Sequence, residues 1–364
     1  MKLIIQPDDG PDSLLSAIKN AKKSIEIAIF RFDRSDLESS LKAAVAKGVK
    51  VTALIADVNR GGEKNLRQLE MRFLKEGITV ARTADDLIRY HDKMVVIDRR
   101  VLYMLSFNFT HLDIDHSRGF GIVTTNASIV QEAAKLFEAD CARRSYSAGL
   151  DTFVVSPTNS RKVLRSFLKR AKKQLLIYDP QISDKEMIGI LQDRAKSGVE
   201  VRVIGKISGR ASVPVHKLTH MRLHTRTIIR DGHQAFVGSQ SLRPAELDSR
   251  REVGLIVRDS KVVKKLLGCF EGDWETTPGA SQQDIKEDEA PQVAQKEEAE
   301  KAVAVLVQEL RPLSGTVRKA VKKVVAKAGE EVLHDKIVKS TVKKVVKKAV
   351  KQAVKEATRG SRTA

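Results

Sequence analysis

The sequence predicts an α/β protein built from two copies of one unit, followed by a basic helical tail. Apolar runs rich in Val and Ile alternate with amphipathic segments of 10 to 17 residues, the pattern of strands joined by helical crossovers. The same landmarks then recur: residues 1 to about 148 and about 151 to 276 carry them in the same order. Beyond Trp274 the composition turns Pro-, Gly- and acid-rich, and then lysine-rich.

Taken in order, helix-like "LLSAIKNAKKS" leads into strand-like "IEIAIF", and "SLKAAVAKGVKV" into "TALIA". In the second copy "VLRSFLKRAKKQ" leads into "LLIYD", and "GILQDRAKSGVEV" into "RVIGK". Ala21-Lys22-Lys23 matches Ala171-Lys172-Lys173, and Gly48-Val49 matches Gly198-Val199, at an offset of 150. Further on the offset is 133, from His91 to His224, Asp98 to Asp231, Ser106 to Ser239, Gly121 to Gly254 and Phe137-Glu138 to Phe270-Glu271. The offsets differ by 17 residues, about the length of the helical stretch Glu63 to Gly77, which the second copy lacks. Each copy is expected to be a sheet sandwiched by helices, parallel at first and mixed where short strands such as "MVVID" and "VLYML" follow closely. An acidic linker with a short helix is expected over 277–310 and a basic amphipathic tail over 311–364. In that tail Val342, Val345, Val346, Ala349, Val350, Ala353 and Val354 fall at helical spacing among lysines.

Composition narrows the partners. Lys and Arg number 66 against 46 acids, a net charge of +20, which favours a polyanionic partner: nucleic acid, an anionic membrane surface or a phosphate-bearing substrate. The tail alone holds 16 basic and 4 acidic residues, a net +12, suited to anionic membrane or DNA. Two cysteines, Cys141 and Cys269, make no disulfide framework and have no metal-ligand spacing. The start "MKLIIQPDDG" lacks the apolar core of a secretory signal, and no stretch approaches the roughly 18 apolar residues of a membrane span. A cytoplasmic protein, peripheral to the membrane at most, is the expectation.

Two segments carry chemistry. "RYHDKMVVIDRR" sets His91, Lys93 and Asp98 around an apolar strand, and "RLHTRTIIRDG" sets His224, Arg226 and Asp231 at the same intervals. A His-x-basic-x4-acid match is expected by chance only about 0.2 times in a chain of this composition. Two matches at equivalent places of a repeat are therefore a signal. Two imidazoles and two cations facing each other suit displacement at a phosphodiester: one imidazole attacks phosphorus, the other protonates the departing alkoxide, and Lys93 and Arg226 neutralise the equatorial oxygens. No metal or other cofactor is called for. If the copies pack face to face, both motifs meet at one seam and no dimer is needed to complete the site.

"YHDKMVVID" followed by "SFNF", and "LHTRTIIRDGHQAFVGSQSL" followed by "REVGLIV", resemble the HxKxxxxD…GSxN signature of the phospholipase D superfamily, the second stretch most closely its cardiolipin-synthase-like bacterial branch. The resemblance covers about residues 1 to 276 and implies two pseudo-equivalent α/β/α sandwich units around a shared active site, working through a phosphohistidine. It implies His91 as nucleophile and His224 as general acid, with Lys93 and Asn108 holding phosphate oxygens and Ser106 beside them. Ser239 and Ser241 are the second copy's equivalents, and Glu252 matches a downstream glutamate that orients a histidine. That glutamate follows His224, so it argues for a well-oriented His224, whereas the family's order argues for His91. Asp98 and Asp231 complete the signatures and are expected to serve the scaffold more than the chemistry. The departures are Arg226 for Lys, Ser241 for Asn, Leu105 for Gly, and Gly119 where the second copy has Glu252.

Each remaining feature has a plainer account. His216, His220 and His233 read as loop residues, since no carboxylate or Cys cluster accompanies them. Residues 201–230, with seven basic residues, three histidines and no acid, read as a solvated edge or as a basic approach to the second motif. The tail reads equally as a solvated lysine-rich segment. Three functions stay open: a phospholipid phosphodiesterase or phosphatidyl transferase, favoured by the resemblance; a nuclease of the same superfamily, set against an aromatic content of 4%; and a non-catalytic binder of nucleic acid or membrane with a degenerate site.

Overall fold

The computed structural model describes residues 1–57, 63–209 and 212–277. Residues Met1–Gly279 form one compact unit. The linker beyond Thr277 and the tail expected over 311–364 lie outside the described residues. Among the described residues no helix is long and apolar enough to cross a membrane.

The first half runs β1 (Lys2–Gln6), α1 (Asp12–Asn20), β2 (Ser24–Ile29), α2 (Ser35–Ala46), β3 (Lys50–Ile55), α3 (Glu63–Lys75), β4 (Thr79–Arg82), β5 (Arg89–Tyr90), β6 (Met94–Ile97), β7 (Val101–Leu105), α4 (His111–Asp115), β8 (Ser117–Thr124) and α5 (Ala127–Cys141). The second runs β9 (Phe153–Ser156), α6 (Ser160–Lys169), β10 (Gln174–Ile182), α7 (Lys185–Lys196), β11 (Glu200–Ile207), β12 (Val215–His216), β13 (Arg222–Leu223), β14 (Arg226–Arg230), β15 (Gln234–Gly238), α8 (Pro244–Asp248), β16 (Arg250–Val257) and α9 (Ser260–Thr276). The repeat is therefore real at the level of elements, and α3 is the helix with no counterpart among the described residues of the second half. Gly48 and Gly198, after α2 and α7, stand at φ 83° and 84°, the left-handed turn that lets each helix stop and the next strand begin.

Strands β2, β3 and β4 pair in parallel, and β6, β7 and β8 continue the sheet antiparallel, as the pattern of long crossovers followed by tight connections requires. The two sheets run β1-β8-β7-β6-β2-β3-β4 and β12-β11-β10-β14-β15-β16-β5, with β13 added on β8 and β9 on β16. One outer face of the first sheet is covered by Leu14, Ile18, Leu37, Leu41 and Phe73 of α1 to α3, and the second sheet's outer face by Leu164, Phe167, Met187 and Leu191 of α6 and α7. Between the sheets, Val130 and Phe137 of α5 and Val263 and Phe270 of α9 share one core with Met94, Val96, Leu176 and Ile229. The two sandwiches thus share their inner layer of helices.

The halves also exchange backbone. β5 pairs in parallel with β16 through Arg250↔Arg89 and Arg251↔Tyr90, and β13 pairs with β8 through Arg222↔Ser117 and Leu223↔Arg118. Buried ion pairs repeat the exchange: Arg118 donates to Asp273 at 2.9 Å from both Nε and Nη2, and Arg251 donates from Nη2 to Asp140 at 3.0 Å. Each pair joins one half to the other, 133 residues apart in both members. Truncating one partner of such a pair leaves an unpaired buried charge, a loss of about 3–5 kcal/mol.

Candidate active site

The strand exchange places the two histidines. His91 follows β5, and its backbone N–H donates to the carbonyl of Arg251 at 2.8 Å; His224 follows β13 and donates to the carbonyl of Arg118 at 3.0 Å. Each histidine is therefore hung on the other half's sheet. Two residues on, Lys93 Nζ donates to the His91 carbonyl at 2.6 Å and Arg226 Nη1 to the His224 carbonyl at 2.8 Å, so the basic residue of each motif holds its own turn.

The His91 ring is gripped from both sides. Its Nδ1 lies 2.9 Å from Oε2 of Glu252 and its Nε2 lies 2.9 Å from Nζ of Lys93. Phe30 packs edge-on against it, with ring centroids 4.5 Å apart. The glutamate expected to orient a histidine thus serves His91, across the seam, and not the His224 of its own half. Lys93 and Glu252 are fully buried. With the carboxylate accepting at Nδ1, the ring proton sits there and Nε2 keeps its lone pair.

His224 is held differently. Its Nε2 lies 3.5 Å from Oδ2 of Asp113, and its Nδ1 is buried with no hydrogen-bond partner among the described residues. Asp113, in α4, accepts from the backbone N–H of Asn108 at 2.8 Å, from Asn108 Nδ2 at 2.6 Å and from Arg222. In the second half Glu246 of α8 takes the equivalent place and accepts from the Ser241 N–H at 2.7 Å and from Arg243 and Arg250. Arg226 Nε also donates to Ser241 Oγ at 3.2 Å, so the two residues that depart from the signature meet.

Electrostatics sort these groups. Burial, followed by Lys93, Arg226 and Arg250, holds His91 well below its ordinary range, so its ring is neutral at pH 7. Burial also lowers His224 well below that range, although Asp113 pulls it back up. Lys93 is brought down to about 7 by burial against the opposing pull of Glu252. Burial and then Glu246 push Glu252 up to about 8, against Lys93. Lys93 and Glu252, on either side of one imidazole, are each drawn toward neutrality by burial, and each opposes that shift in the other.

The remaining signature residues lie outside this cluster. Asp98 and Asp231 occupy the turns at the far ends of β6 and β14, at φ 52° and 53°. Asp98 accepts from the backbone N–H groups of Lys22, Lys23 and Ser24, and Asp231 from those of Lys172, Lys173 and Gln174, at 2.6 to 3.1 Å. Grouped with the catalytic residues by the signature, they are placed here as ties between hairpin and neighbouring strand. Ser106 and Ser239 close the sheet: Ser106 Oγ accepts from Phe120 N–H at 2.9 Å and Ser239 Oγ from Val253 N–H at 3.1 Å. Leu105 has a packing reason, since Gly238 and Gly254 face each other under the Phe236 ring while Leu105 itself covers Gly121. His216 stacks on Trp274 at 3.5 Å between centroids, and no group of three or more His, Cys, Asp or Glu fit to hold a metal occurs among the described residues.

Asp113, Arg222, Glu246 and Arg250 were not singled out from sequence. Asp113 and Glu246 share the 133-residue offset, as do the pairs Arg118/Arg251 and Asp140/Asp273, and that recurrence was the available signal.

Comparison with known proteins agrees with the duplication. The family model described as cardiolipin synthase, PLD-like domain, matches residues 14–141 and 164–274, one stretch in each half. No curated protein sequence matches the chain. Among solved structures, polyphosphate kinase from Porphyromonas gingivalis superposes with a TM-score of 0.64 at 20% identity, over 75% of this chain and 50% of that one, so this chain spans half the kinase's length. Phosphatidylserine synthase from Haemophilus influenzae Rd KW20 superposes with a TM-score of 0.59 at 11% identity, over 76% of this chain and 87% of that one. At these identities the likeness is one of fold. By the family model's match to both halves, the chain belongs to the phospholipase D superfamily, in its cardiolipin synthase-like PLD-domain family.

Proposed function

We propose that the chain cleaves or exchanges a phosphodiester, with phospholipid as the favoured substrate, through a phosphohistidine at His91. The observation that carries this reading is the grip on the His91 ring: Glu252 at Nδ1 and Lys93 at Nε2, both at 2.9 Å, present a neutral imidazole with its lone pair at the seam. When a phosphate monoanion enters, Lys93 turns from Nε2 to the phosphate oxygens, with Arg226 supplying the second positive charge. The Nε2 lone pair forms the N–P bond, the P–O bond to the leaving alkoxide breaks, and His224 donates its proton to that oxygen. The anionic substrate itself favours the protonated form of His224. In the second step neutral His224 takes a proton from water or an alcohol, whose oxygen attacks phosphorus as the N–P bond breaks. The positive charge needed at phosphorus is supplied by the chain's own residues.

Nucleic acid is the second reading, supported by the cations beside the site: Arg31 and Arg89 lie 5.8 and 5.4 Å from the Phe30 ring that backs His91. The test is incubation of the pure protein, in EDTA, with vesicles of phosphatidylcholine or phosphatidylglycerol and separately with plasmid and single-stranded DNA. Release or exchange of a lipid headgroup supports the phospholipid reading. DNA cleavage alone replaces it with the nuclease, and no turnover of either substrate leaves a binding protein.

A further inference from the structure

The two histidines do not have equivalent carboxylates. The position equivalent to Glu252 is Gly119, and its side-chain space is taken: a Cβ there would lie 2.9 Å from Cδ1 and 3.2 Å from Cβ of Phe107. At the equivalent place in the second half stands Gln240, whose side chain turns away to donate to the Val154 carbonyl at 3.0 Å. A glutamate reaching His224 from β8 is thus excluded by packing. The carboxylate that does reach His224 comes from α4, one sheet connection away: Asp113, 2% exposed, with Oδ2 3.5 Å from His224 Nε2. Its counterpart Glu246 is engaged by Ser241, Arg243 and Arg250. The same loop-bracing acid occurs in both halves, and in the first it also meets the other half's histidine.

We infer that Asp113 is the positioning residue of His224, holding and charging the general acid in place of the carboxylate that Gly119 cannot supply. This rests on the phosphohistidine reading above and assigns the site's asymmetry to named residues. His91 faces the cations Lys93, Arg226 and Arg250 and gives its Nδ1 proton to Glu252, so it stays neutral and attacks. His224 faces Asp113 together with Arg226, Arg222 and Lys93; against its burial, His224 and Arg222 hold Asp113 below the ordinary carboxylate range, whereas burial pushes the Glu252 carboxyl beside His91 up to about 8, so His224 is the imidazole that faces the firmer anion. Arg222, 39% exposed in its side chain, clamps Asp113 and competes with His224 for its charge.

The test is a pH titration of both imidazoles by nitrogen-detected NMR of the full-length protein. Asp113→Asn is expected to lower the His224 pKa by about one unit or more, a tenfold change in its protonation constant, and to leave His91 within a few tenths. Arg222→Gln, at an exposed position that keeps the carboxylate, is expected to raise it, which preserves the test if the Asn variant unfolds. A His224 titration unmoved by either substitution, or shifts of equal size at both histidines, overturns the inference. In turnover, Asp113→Asn should slow phosphatidylcholine, whose alkoxide needs a proton, at least tenfold more than a p-nitrophenyl phosphodiester, whose phenolate does not. Equal losses on both substrates make Asp113 a brace only. A wild-type protein without turnover defeats the functional reading, and the titration still decides the role of Asp113.

Discussion

The two halves of the site share a skeleton and differ in charge. In the first, a fully buried lysine and a glutamate from across the seam hold His91 at both nitrogens; in the second, an arginine sits on Ser241 and an aspartate stands off at 3.5 Å from His224. The backbone contacts that set the histidines are equivalent, at 2.8 and 3.0 Å. The duplication therefore conserves where the imidazoles are and varies what surrounds them. Attack needs a neutral, rigid imidazole and leaving-group protonation needs a chargeable one, so two equal halves would serve a two-step displacement less well than two unequal ones.

The largest expected effects fall on the histidines. His91→Ala and His224→Ala should each lower kcat by about a thousandfold or more on phosphatidylcholine. On a p-nitrophenyl phosphodiester only His224→Ala should retain a first-turnover burst of p-nitrophenol. A burst in His91→Ala would reverse the assignment. Next comes Glu252→Gln, which keeps the shape of the His91 contact and removes the carboxyl that can take the Nδ1 proton; a loss of about a hundredfold in kcat is expected, while Glu246→Gln, which does not touch either imidazole, should cost less than tenfold.

The unlike cations give a pH-dependent contrast. His91 must be neutral to attack, and its proton leaves well below 6.5, so the acid limb of kcat/KM lies well below that value. In the proposed mechanism Lys93 acts as an ammonium, and burial has brought it down to about 7, so kcat/KM should fall as pH rises through about 7. Lys93→Arg should shift that basic limb upward by two units or more, since a guanidinium does not deprotonate in this range. A basic limb that stays near neutrality in Lys93→Arg would assign it to another group. Arg226→Lys, which exchanges a forked contact for a point charge, should cost about tenfold without moving the acid limb. The smallest effect on chemistry is expected at the crossed ion pairs: Asp140→Asn and Asp273→Asn should each destabilise by about 3 kcal/mol in denaturant titration, with activity per folded molecule within about threefold.

Much of this was legible in the sequence because it is local. The alternation of strands and helices, the repeat with its 17-residue interruption at α3, and the pairing of both motif histidines all follow from spacing. What was not legible depends on which half covers which surface. β5 and β13 are two residues long and show no period, yet they carry the exchange that positions His91 and His224. Glu252 follows His224 in the chain and serves His91, because β16 pairs with β5. Asp113 sits three residues after Thr110, a spacing that reads as a helix cap; only the packed seam shows that it also faces a histidine.

In the proposed mechanism the covalent step belongs to His91. The direct measurement is mass spectrometry of peptides from the protein, mixed with a p-nitrophenyl phosphodiester and denatured at alkaline pH within the first turnover. The substrate-derived phosphoryl group is expected on the peptide carrying His91, accumulating further in His224→Ala and absent in His91→Ala. The group on the His224 peptide, or an unlabelled protein during active turnover, would contradict it.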